Sequence, residues 1–412
     1  MNTSPDESLS LARTYPAGIR PLQKVALACC SLALLCLVLS LNSHPILQLV
    51  LIALATLTGL AAGALWYNRS VAGWLAGVFI SGFYVCLYWY PAPLSGLVQL
   101  LDPLSYLMRG RPSDQWFLYG FSYTALVLIM GIRFMYKYRR NAYQRWRTIS
   151  VMFFQLIFSF LIPAWMMAMN QPEYYFTYFW PLKYEYLFPD HIGWLTGSYV
   201  HTGIFLVCWG AIMSFIAVPV LTWYFGKRWY CSWVCGCGAL AETAGDPYRS
   251  LSDKSLRAWQ VERWMIHGVL VFIILATLLL WLNSWKQGSL LGSYSHIFSR
   301  SYSFLIGSMF SGVIGTGFYP ILGSRVWCRF GCPQAAILGI IQRRWSRFRI
   351  TTNGGQCISC GNCSEYCEMG IDVKSYAQRG EDIVRASCVG CGICSAVCPR
   401  GVLKLENGTV KL

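Results

Sequence analysis

Long apolar runs separated by short basic segments dominate this chain. Eight of them approach the roughly 20 residues a helix needs to cross a bilayer, near 22–42, 45–67, 71–90, 116–136, 149–169, 199–225, 264–285 and 302–322. Only Asn68, Arg69 and Ser70 separate the second run from the third. The stretch from Val25 to Leu41 is followed by no small-residue cleavage site, so it reads as a retained helix rather than a signal peptide.

Composition points the same way. Of 412 residues, 56% are hydrophobic and only 12% are charged, too little charge to cover a water-facing surface. The expected fold is an all-α polytopic membrane domain of about eight transmembrane helices with a small α+β ferredoxin-like module. Basic residues cluster in alternate loops: Arg13, Arg20, Lys24 and Arg69, then Lys137, Arg139, Arg140, Arg145 and Arg147, then Lys227, Arg228, Arg249, Lys254, Arg257 and Arg263. The opposite loops hold only Arg109, Arg111, Lys183, Lys286 and Arg300. The positive-inside rule then predicts a multi-pass protein of the cytoplasmic (inner) membrane with both termini inside. The formal charge of +16 needs no nucleic acid to explain it, and no nucleic-acid motif accompanies it.

The candidate chemistry lies near the C-terminus. Cys357, Cys360, Cys363 and Cys367 form one C-x2-C-x2-C-x3-C run, and Cys388, Cys391, Cys394 and Cys398 form a second, followed by Pro399. This spacing wraps thiolates around a [4Fe–4S] cube, and the fourth cysteine of each run serves the other cluster. Cys357, Cys360, Cys363 and Cys398 are thus assigned to one cluster, and Cys388, Cys391, Cys394 and Cys367 to the other. Structural zinc prefers two separated C-x2-C pairs, and disulfides need an oxidising compartment. Glu368 stands where proline normally follows the last cysteine of the first run.

An internal repeat is the second signal. Gly226, Arg228, Tyr230, Cys231 and Cys235 recur as Gly323, Arg325, Trp327, Cys328 and Cys332. Each copy follows a two-helix hairpin, so parallel repeats would bring the pairs face to face at the cytoplasmic surface. Cysteines four apart share one helix face, and Cys231, Cys235, Cys328 and Cys332 could together hold an additional redox or metal centre. Cys237 is either a substitute ligand or a passenger.

On these motifs the chain resembles membrane polyferredoxins of the NapH and NosR type and, more distantly, CcoG-type proteins. The resemblance covers about residues 149–412. It implies two C-x3-C-P motifs, matched fully by Cys328, Cys332 and Pro333, while Gly236 replaces the proline after Cys235. The flavin-binding domain of the NosR kind and the immunoglobulin-like domain of the CcoG kind are expected to be absent. The domains then read as a four-helix membrane region over 1–148, a core region over 149–333, an interfacial amphipathic helix over 334–350 and the ferredoxin module over 351–412.

The interfacial helix rests on Ile337, Leu338, Ile341, Trp345 and Phe348 at helical spacing, with Arg343, Arg344 and Arg347 opposite. His201 and His296 could meet as haem ligands, although satisfied interfacial histidines are commoner, and haem is not expected. His267 is placed close to the cysteine pairs for proton or quinone chemistry. The aromatic loop from Asn170 to Ser198 reads as an interfacial belt or a periplasmic docking surface.

The expected function is membrane-bound iron–sulfur electron transfer, as the electron-transfer subunit of a quinol dehydrogenase-like oxidoreductase system. The donor would be the quinone pool or a cytoplasmic ferredoxin-like protein, and the partner a flavin-bearing or periplasmic reductase. The rival reading is a copper reductase, a maturation factor or a redox-sensing regulator. Nothing visible in the sequence bridges the hydrocarbon core of about 30 Å.

Overall fold

The computed structural model describes residues 71–407 continuously, with isolated helical positions between 25 and 58. Apart from those positions, the spans expected near 22–42 and 45–67 lie outside the described residues. Helix α1 (Val71–Trp89) breaks at Pro91, and the next helical stretch, Ala92–Leu100, turns by 106°. Proline offers no amide hydrogen and clashes with the preceding turn, which accounts for the break.

Four helices among the described residues are long and apolar enough to cross a membrane: α2 (Gln115–Lys137), α3 (Ala142–Ala168), α4 (Val200–Phe225) and, further along, Leu256–Trp285. A fifth follows if the bent pair at Pro91 counts as one span. Ile129, Phe215 and Leu278 point outward from three of these helices, as lipid-facing side chains do. Two helices carry a π-helical stretch, Phe154–Leu161 in α3 and Met213–Ala217 in α4. Pro163 and Pro219 follow within two residues, and the wider turn accommodates the missing amide.

Two short helices, α5 (Arg228–Cys231) and α6 (Gly236–Thr243), precede the long α7 (Leu256–Trp285). The expected span over 302–322 is not one helix. α8 (Ser295–Tyr302) continues as a π-helical stretch, Ser303–Ile314, then gives way to a turn and to α9 (Tyr319–Leu322). Gly315, Gly317 and Pro320 in this stretch are poor helix formers. α10 (Val326–Phe330) and α11 (Pro333–Trp345) follow.

The helix expected over 334–350 thus ends at Trp345, and Phe348 belongs to a strand. The buried face of α11 is Gln334, Ala335, Leu338, Gly339 and Gln342, packed inside the protein.

Strand β1 (Phe348–Thr352) pairs antiparallel with β2 (Leu403–Asn407), from Phe348 opposite Asn407 to Thr352 opposite Leu403. Between them lie three short helices, α12 (Asn362–Glu365), α13 (Val373–Arg379) and α14 (Ile393–Ala396). The strands close the C-terminal module as a two-stranded sheet under the cysteine loops. Its core, including Ile350, Ile371, Val389 and Leu403, runs without interruption into Tyr230, Cys231 and Leu338 of the helical part.

Candidate metal centres

The ferredoxin cysteines fall into the two groups expected from spacing. Cys357, Cys360, Cys363 and Cys398 line one cavity, and Cys367, Cys388, Cys391 and Cys394 line another. Each set combines three neighbours in sequence with one residue from the other run. Backbone amides point at several sulfurs: that of Ser364 at Cys363, those of Ile371 and Met369 at Cys367, and that of Gly390 at Cys388. Burial pushes the Cys363 and Cys388 thiols up to about 11. A buried thiol resists ionisation until a bound cation holds the thiolate.

Among the described residues no three His, Cys, Asp or Glu side chains gather tightly enough for a single metal ion. A cubane spreads its four ligands over four irons, so wider spacing suits a cluster and disfavours zinc. The donor chemistry, the cavities and the amide hydrogen bonds all fit iron–sulfur clusters.

The two cavities differ in exposure. Cys360 is exposed, whereas Cys388 and Cys394 are buried. The loop around Cys388 is clamped to the helical part by side chains that donate to its carbonyls. Lys227 Nζ bonds Ala386 O at 3.2 Å, Ser232 Oγ bonds Val389 O at 2.8 Å, and Tyr143 Oη bonds Gly390 O at 2.8 Å. Gln144 Nε2 bonds Cys391 O at 2.8 Å. Gln342 Nε2 bonds both Arg385 O and Cys388 O at 2.8 Å, while its Oε1 accepts the Lys227 amide at 2.7 Å.

The repeated cysteine pairs share one local geometry, which differs from a single helix face. Cys231 closes α5 and Cys328 lies in α10, whereas Cys235 and Cys332 are the N-cap residues of α6 and α11. A turn intervenes in each copy, because an N-cap residue leaves helical dihedrals while its sulfur meets the first free amides. The Ala335 amide donates to Cys332 Sγ at 3.4 Å, and the Gly238 amide bonds Cys235 in the same way. Gly236 takes the place that Pro333 holds in the second copy. A Cβ there would collide with the Tyr178 hydroxyl and stand 2.6 Å from Gln155 Oε1.

All four cysteines are buried, between 5% and 6% exposed. They influence one another: Cys231 feels Cys235 and Cys328, and Cys332 feels Cys328, Cys231 and Cys235. Cys237 packs against both pairs. Burial pushes the Cys231 thiol up to about 12. A hydrogen bond from Cys237, with amides of the α6 N-terminus, holds Cys235 down at about 7. The pairs do face each other as expected, but not at the ends of the spans. Tyr123 Oη, nine residues into α2, donates to Gly236 O at 2.9 Å, and Gln155, midway along α3, faces the same glycine. The group therefore packs against middle turns of two candidate spans.

The aromatic loop after α3 is not simply a surface belt. Tyr174, Phe179 and Tyr186 are buried, Tyr230 Oη donates to Thr177 O at 2.8 Å, and the Phe179 and Tyr230 rings lie 5.2 Å apart. The chain folds back into the bundle beside the cysteine pairs. His201 and His296 are exposed.

A buried charge network, not foreseen from the sequence, joins these groups. Arg325 reaches Glu242 at 2.5 Å and Glu368 at 2.9 Å, and Glu368 also holds Arg249 at 2.8 Å. Arg147 pairs with Glu242, and Asp246 links Arg249 to Lys137. Arg325 Nη1 donates to Cys231 O at 3.3 Å and lies 3.7 Å from Cys328 Sγ. The arginine of the repeat and the glutamate after Cys367 were visible signals, but their pairing was not.

Comparison with known proteins agrees with this geometry. Residues 356–403 match the 4Fe-4S dicluster domain family, and residues 207–255 and 305–353 each match the 4Fe-4S binding domain family. The last two segments carry the two copies of the cysteine repeat. This is an iron–sulfur protein. The chain is also similar to YccM of Escherichia coli (strain K12), named as a candidate electron transport protein, at 28% identity over 178 residues. That match covers 40% of this chain and 47% of YccM. No solved structure matches.

Proposed function

We propose that this chain is a membrane-spanning electron-transfer protein of the NapH and NosR type. It would hold one [4Fe–4S] cluster in each ferredoxin cavity and a third iron–sulfur centre at Cys231, Cys235, Cys328 and Cys332. When bound, such clusters supply one-electron chemistry. The residues supply order, insulation and charge balance.

The observation that carries this reading is the serial placement of the cysteines. Cys360 is exposed at the outer cavity, Cys388 is buried at the inner one, and Ser232, beside Cys231, bonds directly to Val389, beside Cys388. The relative named for electron transport has the same character. In this reading the module faces the cytoplasm, exchanging electrons with the quinone pool or a ferredoxin-like donor. The partner is a periplasmic or flavin-bearing reductase. Burial of the innermost cysteines against middle turns of α2 and α3 shortens the stretch of the apolar layer that the partner must bridge.

The test is an anaerobic EPR titration of the purified protein with quinol and then dithionite. Reduction by quinol supports the quinone link, and reduction by dithionite alone assigns a low-potential cytoplasmic donor. Absence of any iron–sulfur signal would remove the proposal.

A further inference from the structure

A cavity of about 350 Å³ opens where the N-terminal turns of α7, the helix α11 and the ferredoxin module meet. Its volume lies within the range of about 300–1,000 Å³ typical of small-molecule sites. We propose that this cavity binds a phosphate-bearing anion. The inference does not depend on the electron-transfer reading, since it concerns binding alone.

Charge is the first argument. Lys227, Lys254, Arg263, Arg343 and Arg385 line the cavity, against only Glu262 and Asp372. Both acids are engaged elsewhere: Glu262 accepts from Arg329 at 3.1 Å, and Asp372 accepts from Ser364 Oγ at 2.8 Å. Among the described residues no ion pair joins any of the five cations to a carboxylate within 4.0 Å. Part of this charge offsets thiolates, because Lys227 and Arg385 stand near Cys388, and Lys254 near Cys367. Arg263 and Arg343 come from α7 and α11 and carry the excess.

Geometry is the second. The guanidinium groups of Arg263 and Arg385 each lie 4.9 Å from the centre of the Trp259 ring. Packing on an aromatic ring limits a guanidinium's motion and leaves its N–H edges free for a bidentate oxyanion. Lys227 is 1% exposed, and its ammonium is directed at the Ala386 carbonyl at the cavity wall. Cys328 forms part of the lining, so a bound anion would stand beside the four-cysteine group. A phosphate could come from a lipid headgroup or from a soluble phosphate compound.

The experiment uses the full chain, purified anaerobically with its iron. In nanodiscs of phosphatidylcholine alone, inorganic pyrophosphate is titrated by calorimetry. In nanodiscs containing phosphatidylglycerol, retained lipid is counted by native mass spectrometry. The double variant Arg263→Gln/Arg343→Gln removes two exposed cavity arginines and should keep its iron. Arg344→Gln, outside the cavity, is the control.

Saturable pyrophosphate binding identifies a soluble source, and one retained phosphatidylglycerol identifies a lipid. In either case the double variant should bind about tenfold more weakly, the equivalent of one lost charge-assisted contact, while the control is unchanged. No binding of either probe overturns the proposal. So does equal binding by the wild type and the double variant, or equal weakening in the control.

Discussion

Glu368 and Arg325 form an ion pair of 2.9 Å in which both side chains are fully buried. Glu368 directly follows the ligand Cys367, and Arg325 lies 3.7 Å from the sulfur of Cys328. One contact therefore links the inner ferredoxin cavity to the repeated cysteine group. Buried charges are weakly screened, so each acts on the redox centres beside it. Glu368→Gln removes a negative charge and should make reduction easier. The inner centre should shift upward by on the order of 50–100 mV, the effect of a unit charge at roughly 10 Å and an effective dielectric near 20. Potentiometric EPR checks this, with Glu365→Gln, on the exposed face of α12, as a control that should not move. An unchanged or lowered potential in Glu368→Gln would contradict the coupling.

The four buried cysteines should behave as a unit separate from the ferredoxin module. Cys231→Ser and Cys328→Ser should each lose the iron of that group and abolish turnover, while both ferredoxin signals persist. Iron analysis and EPR of each variant read this directly. If turnover survives with the full iron complement, the four-cysteine centre is wrong.

Gln342 is the most heavily used clamp between α11 and the module, with three hydrogen bonds and 2% exposure. Gln342→Leu leaves two carbonyls and one amide without partners, at a cost of about 1–3 kcal/mol for each group left buried. Hydrogen exchange should quicken across 385–391 while α7 keeps its protection. Unchanged exchange in that loop would mean the clamp has no such role.

Gly226 and Gly323 end the helices before each repeat at φ 71° and 95° with ψ near 180°, a region open almost only to glycine. A Cβ would also stand 2.7 Å from Phe348 Cβ at position 226 and 2.8 Å from Ser252 N at position 323. Alanine at either position should destabilise the fold by at least about 1–3 kcal/mol, seen as a lower thermal midpoint and reduced iron retention. A variant with wild-type stability would show that the turn tolerates side chains.

Much of the redox site was legible because ligand spacing is a local property. The crossed sharing of Cys367 and Cys398 follows from the two runs, and the repeat announced that the C-x3-C pairs belong together. The N-cap position of Cys332 was also signalled by Pro333, since proline favours the first helical position. What stayed hidden depends on tertiary contact. Glu368 and Arg249 are far apart in the chain, and no local pattern tells a paired buried glutamate from an exposed one. The loop after α3 has the same aromatic content whether it lies at an interface or folds inward beside Tyr230. Three of the four long spans matched apolar runs closely, whereas 302–322 was broken by glycines whose effect depends on neighbours such as Ser81.

The most direct test counts iron and sulfide in protein purified without oxygen, alongside Mössbauer spectra. Cubanes in both ferredoxin cavities and at the four buried cysteines require about twelve irons per chain, falling to about eight in Cys231→Ser. An iron-free preparation, or zinc in place of iron, would contradict it.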